Sequence, residues 1–224
     1  MAGAMQTLLA LLERGPDESR QVFNPWSDTD ERDAAPHRQM PKRRLDNLAA
    51  YLDARRTSAR YVLMGEAPSH RGCRFSGIPF CSEHELVHKT DLVARKPLQL
   101  TSRDAATKPF TERSAAVIWG ELEHSGAAFD VVLWNTYPWH PYGDDVTSNR
   151  KPRPAEVREG HATFEAFQSC FTHPLRVLAV GKVAEVALGQ WPGGQCAGYI
   201  RHPAHGGESL FRAGFREHVG TSGR

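Results

Sequence analysis

Four short segments hold the residue types that could perform chemistry. They span residues 65–70, 135–141, 181–182 and 201–207, and each directly follows a short apolar run. The side chains of interest in them are Glu66, Ser69, His70, Asn135, His140, His202 and His205. Carboxylate, amide, hydroxyl and imidazole groups beside glycines suit a small, planar, polar molecule that main chain can approach closely.

A nucleotide fits these groups. An asparagine amide donates and accepts, which matches O4 and N3–H of uracil, whereas cytosine presents the reverse order. Phe80 offers a face on which a base can stack. Gly206 and Gly207 open the last predicted helix, whose free N–H groups and dipole favour a phosphate.

The elements that position these segments alternate between strands and helices. Apolar runs predict strands at 61–64, 129–134, 175–180 and 197–200, and helical patterns lie at 42–56, 111–124, 154–171, 182–188 and 208–219. This alternation predicts an α/β fold with a parallel sheet and helices on both faces. Because ligands bind beyond the carboxyl ends of such strands, we expect the four segments to share one crevice.

Length and composition exclude several classes of protein. The 224 residues predict a main domain of residues 42–224, preceded by a helix (7–14) and a surface loop in residues 1–41 that pack on it. The net charge of +2 does not by itself indicate a polyanionic partner. The four cysteines show no C-x-x-C pair, no apolar stretch reaches the roughly 18 residues of a membrane span, and no basic leader opens the chain. We expect a soluble, cytoplasmic protein with no metal and no other cofactor.

Three ordered motifs resemble those of the uracil-DNA glycosylase superfamily. They are Gly65-Glu-Ala-Pro with Gly77-Ile-Pro-Phe80, then Leu133-Trp-Asn135, then His202-Pro203. The resemblance extends from about residue 47 to the C-terminus and is greatest to the branch with Gly-Glu-x-Pro. That branch usually carries an iron–sulfur cluster, for which this chain lacks the cysteine spacing.

The resemblance implies a fold, a reaction and residue roles. The fold is a central four-stranded parallel sheet flanked by helices, a three-layer sandwich, and the reaction is hydrolysis of the N-glycosidic bond of uracil in DNA to leave an abasic site. Phe80 corresponds to the aromatic that stacks on the base, Asn135 to the amide that recognises uracil, and His202 to the donor at uracil O2. The remaining pocket residues would be Gly65, Glu66 as the nearest carboxylate, Ala67, Pro68, Ser69 and His70.

The chain departs from the superfamily pattern at two of these positions and in the loop after His202-Pro203. Ala67 replaces an aspartate that orients water in the best-studied family. Ser69 replaces a tyrosine that excludes the thymine methyl group, which suggests that hypoxanthine or xanthine is also accepted. The loop after His202-Pro203 lacks the usual leucine or arginine wedge, so His205 or Arg212 would keep the duplex open.

DNA is the expected partner, bound by a monomer without an obligate protein partner or membrane. Its phosphates would lie on the basic run Arg150, Lys151 and Arg153, and on the loop of His205, Gly206 and Gly207.

Each assignment has a plainer alternative. Asn135 could cap the turn before Pro138, Phe80 could be a core residue, Glu66 could cap nearby N–H groups, and the basic run could be a solvated loop. A zinc site at Cys73, Cys81, His84 and His88 is disfavoured by its spacing. For the whole protein, the alternatives are a non-catalytic binder of uracil-containing or abasic DNA and an enzyme that acts on a free nucleotide.

Overall fold

The computed structural model describes residues 2–16, 21–193 and 196–220. The helices of this part of the chain are α1 (Ala2–Arg14), α2 (Met40–Asp53), α3 (Cys73–Ser76), α4 (Glu83–His88), α5 (Thr90–Val93), α6 (Arg113–Ser125), α7 (Pro154–Gln168), α8 (Lys182–Gln190) and α9 (Glu208–His218). Its strands are β1 (Val22–Phe23), β2 (Tyr61–Gly65), β3 (Val131–Asn135), β4 (His140–Pro141), β5 (Arg176–Val180) and β6 (Gly198–Ile200). None of the described helices is both long enough and apolar enough to cross a membrane.

The main sheet contains four parallel strands in the order β3-β2-β5-β6. Tyr61 to Gly65 of β2 pair in register with Val131 to Asn135 of β3, so the two strands end side by side. The chain leaves β2 towards β3 on one side and returns to β5 on the other, which makes the carboxyl ends of β2 and β5 the topological switch point. The predicted α/β fold with a four-stranded parallel sheet and flanking helices is confirmed.

The predicted elements differ from the observed ones mainly at their ends. The strand expected from Phe129 begins at Val131, because the N–H groups of Asp130 and Val131 both donate to the carbonyl of Ala127 in a tight turn (3.1 and 3.2 Å). Ser82 and Glu85 form a capping box at the start of α4, in which the Ser82 N–H donates to Oε2 of Glu85 at 2.9 Å.

Side chains of α2 and of the turn that follows it cover the outer edge of β3 and fix its position. The backbone N–H of Leu133 donates to the hydroxyl oxygen of Tyr51 at 2.7 Å. The fully buried Arg55 donates from Nε to the carbonyl of Val131 at 3.0 Å. An edge strand would otherwise leave these backbone groups without partners in the interior. The anchoring places Asn135 at a defined point at the end of β3.

The N-terminal segment packs against the rest of the chain. Leu8 and Leu12 of α1 are fully buried, and the indole Nε1 of Trp139 donates to the carbonyl of Leu12 at 3.0 Å. Downstream, Trp26 is 1% exposed and β1 pairs antiparallel with β4. Residues expected to form a surface loop therefore also supply interior side chains.

Candidate active site

Gly65, Phe80 and Asn135 meet at the carboxyl end of β2. A Cβ atom built on Gly65 would overlap the Phe80 ring and lie 2.7 Å from Oδ1 of Asn135. Only a glycine leaves room for this approach of ring, amide and main chain. Two of the predicted site residues are thus brought against the first residue of the 65–70 segment.

The amide of Asn135 is buried with an unused acceptor. The residue is 1% exposed, and its Oδ1 accepts no hydrogen bond from any residue that the structure describes. A buried polar atom without a partner costs about 1–3 kcal/mol, so native proteins rarely keep one without a function. In this structure Oδ1 does not cap the turn before Pro138. A ligand donor such as an imide N–H would satisfy it.

Phe80 has a strained backbone. Its φ angle is +51°, in the left-handed region that bulky side chains avoid. The surroundings maintain this conformation: the indole of Trp119 donates to the Phe80 carbonyl at 2.9 Å, and the Ser76 hydroxyl donates to the next carbonyl, that of Cys81, at 2.6 Å. Simple core packing needs no such strain, whereas binding sites often contain it.

His202 lies close to the Phe80 ring, and the two ring centroids are 6.2 Å apart. Its Cβ lies 3.2 Å from the position of a Cβ built on Gly181, which follows β5 with a φ of +90°. Nδ1 of His202 accepts a hydrogen bond from the backbone N–H of Ala204 at 3.2 Å. Burial lowers the pKa of His202 to about 4, and the charge of Arg201 acts in the same direction. The imidazole is therefore neutral at pH 7, with its proton on Nε2 as a donor.

The main chain after Gly65 is fixed by the end of β3. The N–H of Thr136 donates to the Gly65 carbonyl at 2.9 Å, while the Thr136 hydroxyl and the Tyr137 N–H donate to the Glu66 carbonyl at 2.8 and 3.1 Å. The side chain of Glu66 is partly exposed. Burial raises its pKa, and the positive charge of Lys151 opposes the rise. The structure thus places Glu66 within electrostatic reach of the basic run.

Ala67 and Pro68 continue this segment towards Ser69. Ala67 is partly buried and packs on the hydrophobic core, and Pro68 is buried. Neither side chain offers a group that could orient water, so the segment contributes shape and backbone at these two positions.

Glu112, which the motifs did not indicate, lies beneath this segment. A Cβ built on Gly72 would overlap its Oε2, and the carboxyl group is hydrogen-bonded to the Ser69 hydroxyl. Ser69 Oγ in turn accepts the Gly72 N–H at 3.1 Å. Burial raises the pKa of Glu112 to about 7, because the Ser69 hydrogen bond only partly offsets the loss of hydration. Its place before α6 gave no spacing pattern by which the sequence could reveal it.

Asn149 connects two histidines near the site. Its Oδ1 accepts the backbone N–H of His70 at 3.0 Å and lies 3.2 Å from Nε2 of His140. His140 is fully buried, and burial lowers its pKa to about 4. These contacts attach the loop after β4 to the 65–70 segment, and they make His140 and Asn149 supporting residues of that segment.

The three basic residues of the predicted run lie in different environments. Arg150 donates two hydrogen bonds to Glu156, both at 2.7 Å, and one to the Tyr142 carbonyl at 3.0 Å. Arg153 lies 3.6 Å from the Glu156 carboxylate, and its N–H donates to that group at 2.6 Å. Lys151 between them is exposed. The structure therefore gives Arg150 a structural role in addition to the predicted contact with DNA.

The loop after His202 leads into α9. His205 is exposed with a φ of +52°, and a Cβ on Gly207 would collide with the His202 carbonyl. Arg212, expected as one possible wedge, donates instead to Glu121 at 2.8 Å and to Glu208 at 3.0 Å. Leu210, in the first turn of α9, is 62% exposed, and the sequence alone had not indicated it.

Comparison with known proteins shows the fold. No family model matches the chain, and no curated protein matches it in sequence. The crystal structure of wild-type SMUG2 from Pedobacter heparinus is similar, with a TM-score of 0.62, 12% sequence identity and 96% of each chain covered. The uracil-DNA glycosylase-like fold is therefore shared over nearly the whole chain.

Proposed function

We propose that the protein is a DNA glycosylase that removes uracil from DNA as the first step of base excision repair. The observation that carries this proposal is the unpartnered, buried Oδ1 of Asn135 beside Gly65 and the strained Phe80. The fold shared with SMUG2, a glycosylase of the uracil-DNA glycosylase superfamily, supports it.

Recognition would require the base to leave the duplex. Uracil placed against the Phe80 ring would present N3–H to Oδ1 of Asn135 and O4 to the amide NH2 of the same residue. Cytosine would direct a donor at the NH2 and an acceptor at Oδ1, and both contacts would be lost. Extrusion costs a few kcal/mol of stacking and pairing energy, which stacking on Phe80 offsets in part.

Cleavage would depend on charge stabilisation. Breaking the N-glycosidic bond leaves a uracil anion and a sugar cation, which water then attacks. A neutral His202 with Nε2–H directed at O2 would stabilise the negative charge where it develops. The backbone of Gly65, Ala67, Pro68, Ser69 and His70 would line the pocket, and Glu66 would be the carboxylate closest to the attacking water.

The range of bases that the pocket would accept depends on the 65–70 segment. Ser69 is small and already bonded to Gly72 and Glu112, so its side chain does not fill the volume that a tyrosine would occupy. We therefore include hypoxanthine and xanthine among the candidate bases.

The test is a panel of single-stranded and duplex oligonucleotides, each with one uracil, hypoxanthine or xanthine, followed by alkali that cuts at abasic sites. Cleavage at the uracil is expected from the wild type. Asn135→Ala and His202→Ala, purified in parallel, should show no more than background, which excludes a contaminating enzyme. Asn135→Asp should gain some cleavage at cytosine.

Three results would contradict the proposal. Binding without any cleavage would favour a non-catalytic binder of uracil-containing or abasic DNA. Activity on dUMP alone would favour an enzyme of free nucleotides. Cleavage equal in wild type and variants would show that the assigned residues take no part.

A further inference from the structure

A positively charged cavity of about 470 Å³ lies beside the candidate active site. Its lining includes Arg32, Arg71, Arg103, Lys108, Asp104 and Phe110. None of these residues belongs to the motifs that suggested the function, and none belongs to the basic run of residues 150–153.

Three of the four cations are available to a ligand. Arg71, Arg103 and Lys108 are exposed, and none of them forms an ion pair with a residue that the structure describes. The fourth, Arg32, donates from Nε to Asp30 at 3.0 Å and is neutralised there. Asp104 supplies one negative charge, so the cavity keeps a net positive charge that favours an anion.

The walls of the cavity are held in place by buried contacts. The Phe110 ring stacks on Phe75 with centroids 4.3 Å apart, and the Arg32 guanidinium lies 5.7 Å from the Phe110 centroid. On the other wall, the N–H groups of Thr101 and Ser102 both donate to Oε1 of the buried Glu83 at 2.8 Å. The cavity is thus a preformed site with an aromatic floor, suited to a sugar or base beside a phosphate.

The cavity adjoins the 65–70 segment through two chain connections. Arg71 is two residues beyond Ser69, and Thr111, which also lines the cavity, precedes Glu112. Ser69 and Glu112 are hydrogen-bonded to each other. Two extended residues span at most about 7 Å. Successive phosphates of one stacked DNA strand are about 3.4 Å apart along the helix axis, so this reach corresponds to about two nucleotides.

We infer that this cavity binds a backbone phosphate of the DNA strand that carries the extracted base, within about two nucleotides of it on the Ser69 side. The inference rests on the proposed function for the identity of the anion. A phosphate there would be contacted by Arg71, Arg103 and Lys108, while its sugar or base would pack on Phe110.

Binding to an oligonucleotide that contains a stable abasic analogue tests this inference, because it needs no catalysis. The variant is Arg71→Gln/Arg103→Gln. The matched control, Arg60→Gln/Arg176→Gln, removes two exposed cations at the amino ends of β2 and β5. The candidate active site lies at the carboxyl ends of these strands. Lys108→Gln, an exposed single change, serves if the double variant does not fold.

The cavity variant should bind about tenfold more weakly near 0.1 M salt. Its plot of log affinity against log salt should be shallower by about 1.4–1.8, the value for two lost phosphate contacts, and Lys108→Gln should flatten it by about half as much. The control should match the wild type. Equal affinity and slope in wild type and cavity variants would overturn the inference, as would equal losses in the control.

Failure of the inference and failure of the proposed function are distinguishable. A wild type that cleaves at uracil while the cavity variants bind normally contradicts the inference alone. A wild type that binds with the expected dependence on the cavity but cleaves nothing contradicts the proposed function alone.

Discussion

The backbone N–H of Ala204 donates a 3.2 Å hydrogen bond to Nδ1 of His202. This contact makes Nδ1 an acceptor and therefore leaves the proton of the neutral ring on Nε2. A turn of only three residues thus selects the tautomer that can donate to a ligand. Burial and the charge of Arg201 keep the ring neutral, since both lower its pKa.

The first prediction concerns pH. The pKa of His202 falls from 6.5 to about 4, so the imidazole stays neutral as pH drops through 6.5 and charges only near 4. The stability contributed by this neutral ring is complete above pH 6.5 and is lost as pH falls towards 4. Single-turnover cleavage between pH 4.5 and 8 should therefore show no inflection near 6.5 that depends on His202.

Two variants of His202 sharpen this test. His202→Ala should lower the rate by about 10²–10³, and His202→Gln, which keeps an N–H donor, should recover part of it. An inflection near 6.5 in the wild type that is absent from His202→Gln would contradict the assignment of a neutral donor.

The second prediction concerns the glycine at the end of β2. Gly65→Ala would place a methyl group against the Phe80 ring and 2.7 Å from Oδ1 of Asn135. We expect at least about a 10²-fold loss of cleavage, with overpacking that costs about 1–3 kcal/mol of folding free energy. Gly189→Ala in α8 is the matched control, because its Cβ would meet nothing within 4 Å. Full activity in Gly65→Ala would show that no base enters there.

The third prediction concerns Glu112. Its pKa rises from 4.5 to about 7 on folding, so the fold favours the protonated carboxyl and opposes ionisation. The resulting loss of folding stability is absent below pH 4.5, grows as pH rises and is complete above pH 7. Glu112→Gln should therefore be more stable than the wild type at pH 8. The difference in unfolding free energy between variant and wild type should be about 1–3 kcal/mol more favourable to the variant at pH 8 than at pH 4.5. Urea unfolding at both pH values measures this, and an equal difference at both would contradict it.

The sequence alone indicated some residues of the candidate site and missed others. The apolar runs predicted the four parallel strands, and the motifs after them led to Asn135 and His202, because a parallel sheet places the ends of its strands at one edge. The sequence patterns did not indicate Glu112 or Leu210. A carboxyl before a helix and a leucine on one have ordinary local explanations, and only tertiary packing shows that the first lies against Gly72 and Ser69 and that the second is exposed.

The fourth prediction separates structure from DNA contact in the basic run. Arg150→Ala removes both hydrogen bonds from a buried Glu156 carboxylate and should cost about 2–3 kcal/mol in unfolding free energy. Lys151→Ala should change stability by no more than about 0.5 kcal/mol while weakening DNA binding and raising the pKa of Glu66 further. Thermal unfolding and oligonucleotide titration measure the two effects. Equal effects of the two substitutions on stability would contradict the division.

The last prediction concerns the loop and first turn of α9. Leu210 is 62% exposed close to the loop that holds His205, whereas Arg212 is held by Glu121 and Glu208. An exposed leucine at this position could fill the space that an extruded base leaves in the stack.

Leu210→Ala should therefore reduce cleavage of duplex DNA about tenfold and leave cleavage of single strands nearly unchanged, because only the duplex has a stack to fill. Val186→Ala is the control, since Val186 is 55% exposed on α8. The ratio of duplex to single-strand rates is the measurement. A ratio that Leu210→Ala leaves unchanged, or that His205→Ala lowers instead, would move the wedge to another side chain of the same loop.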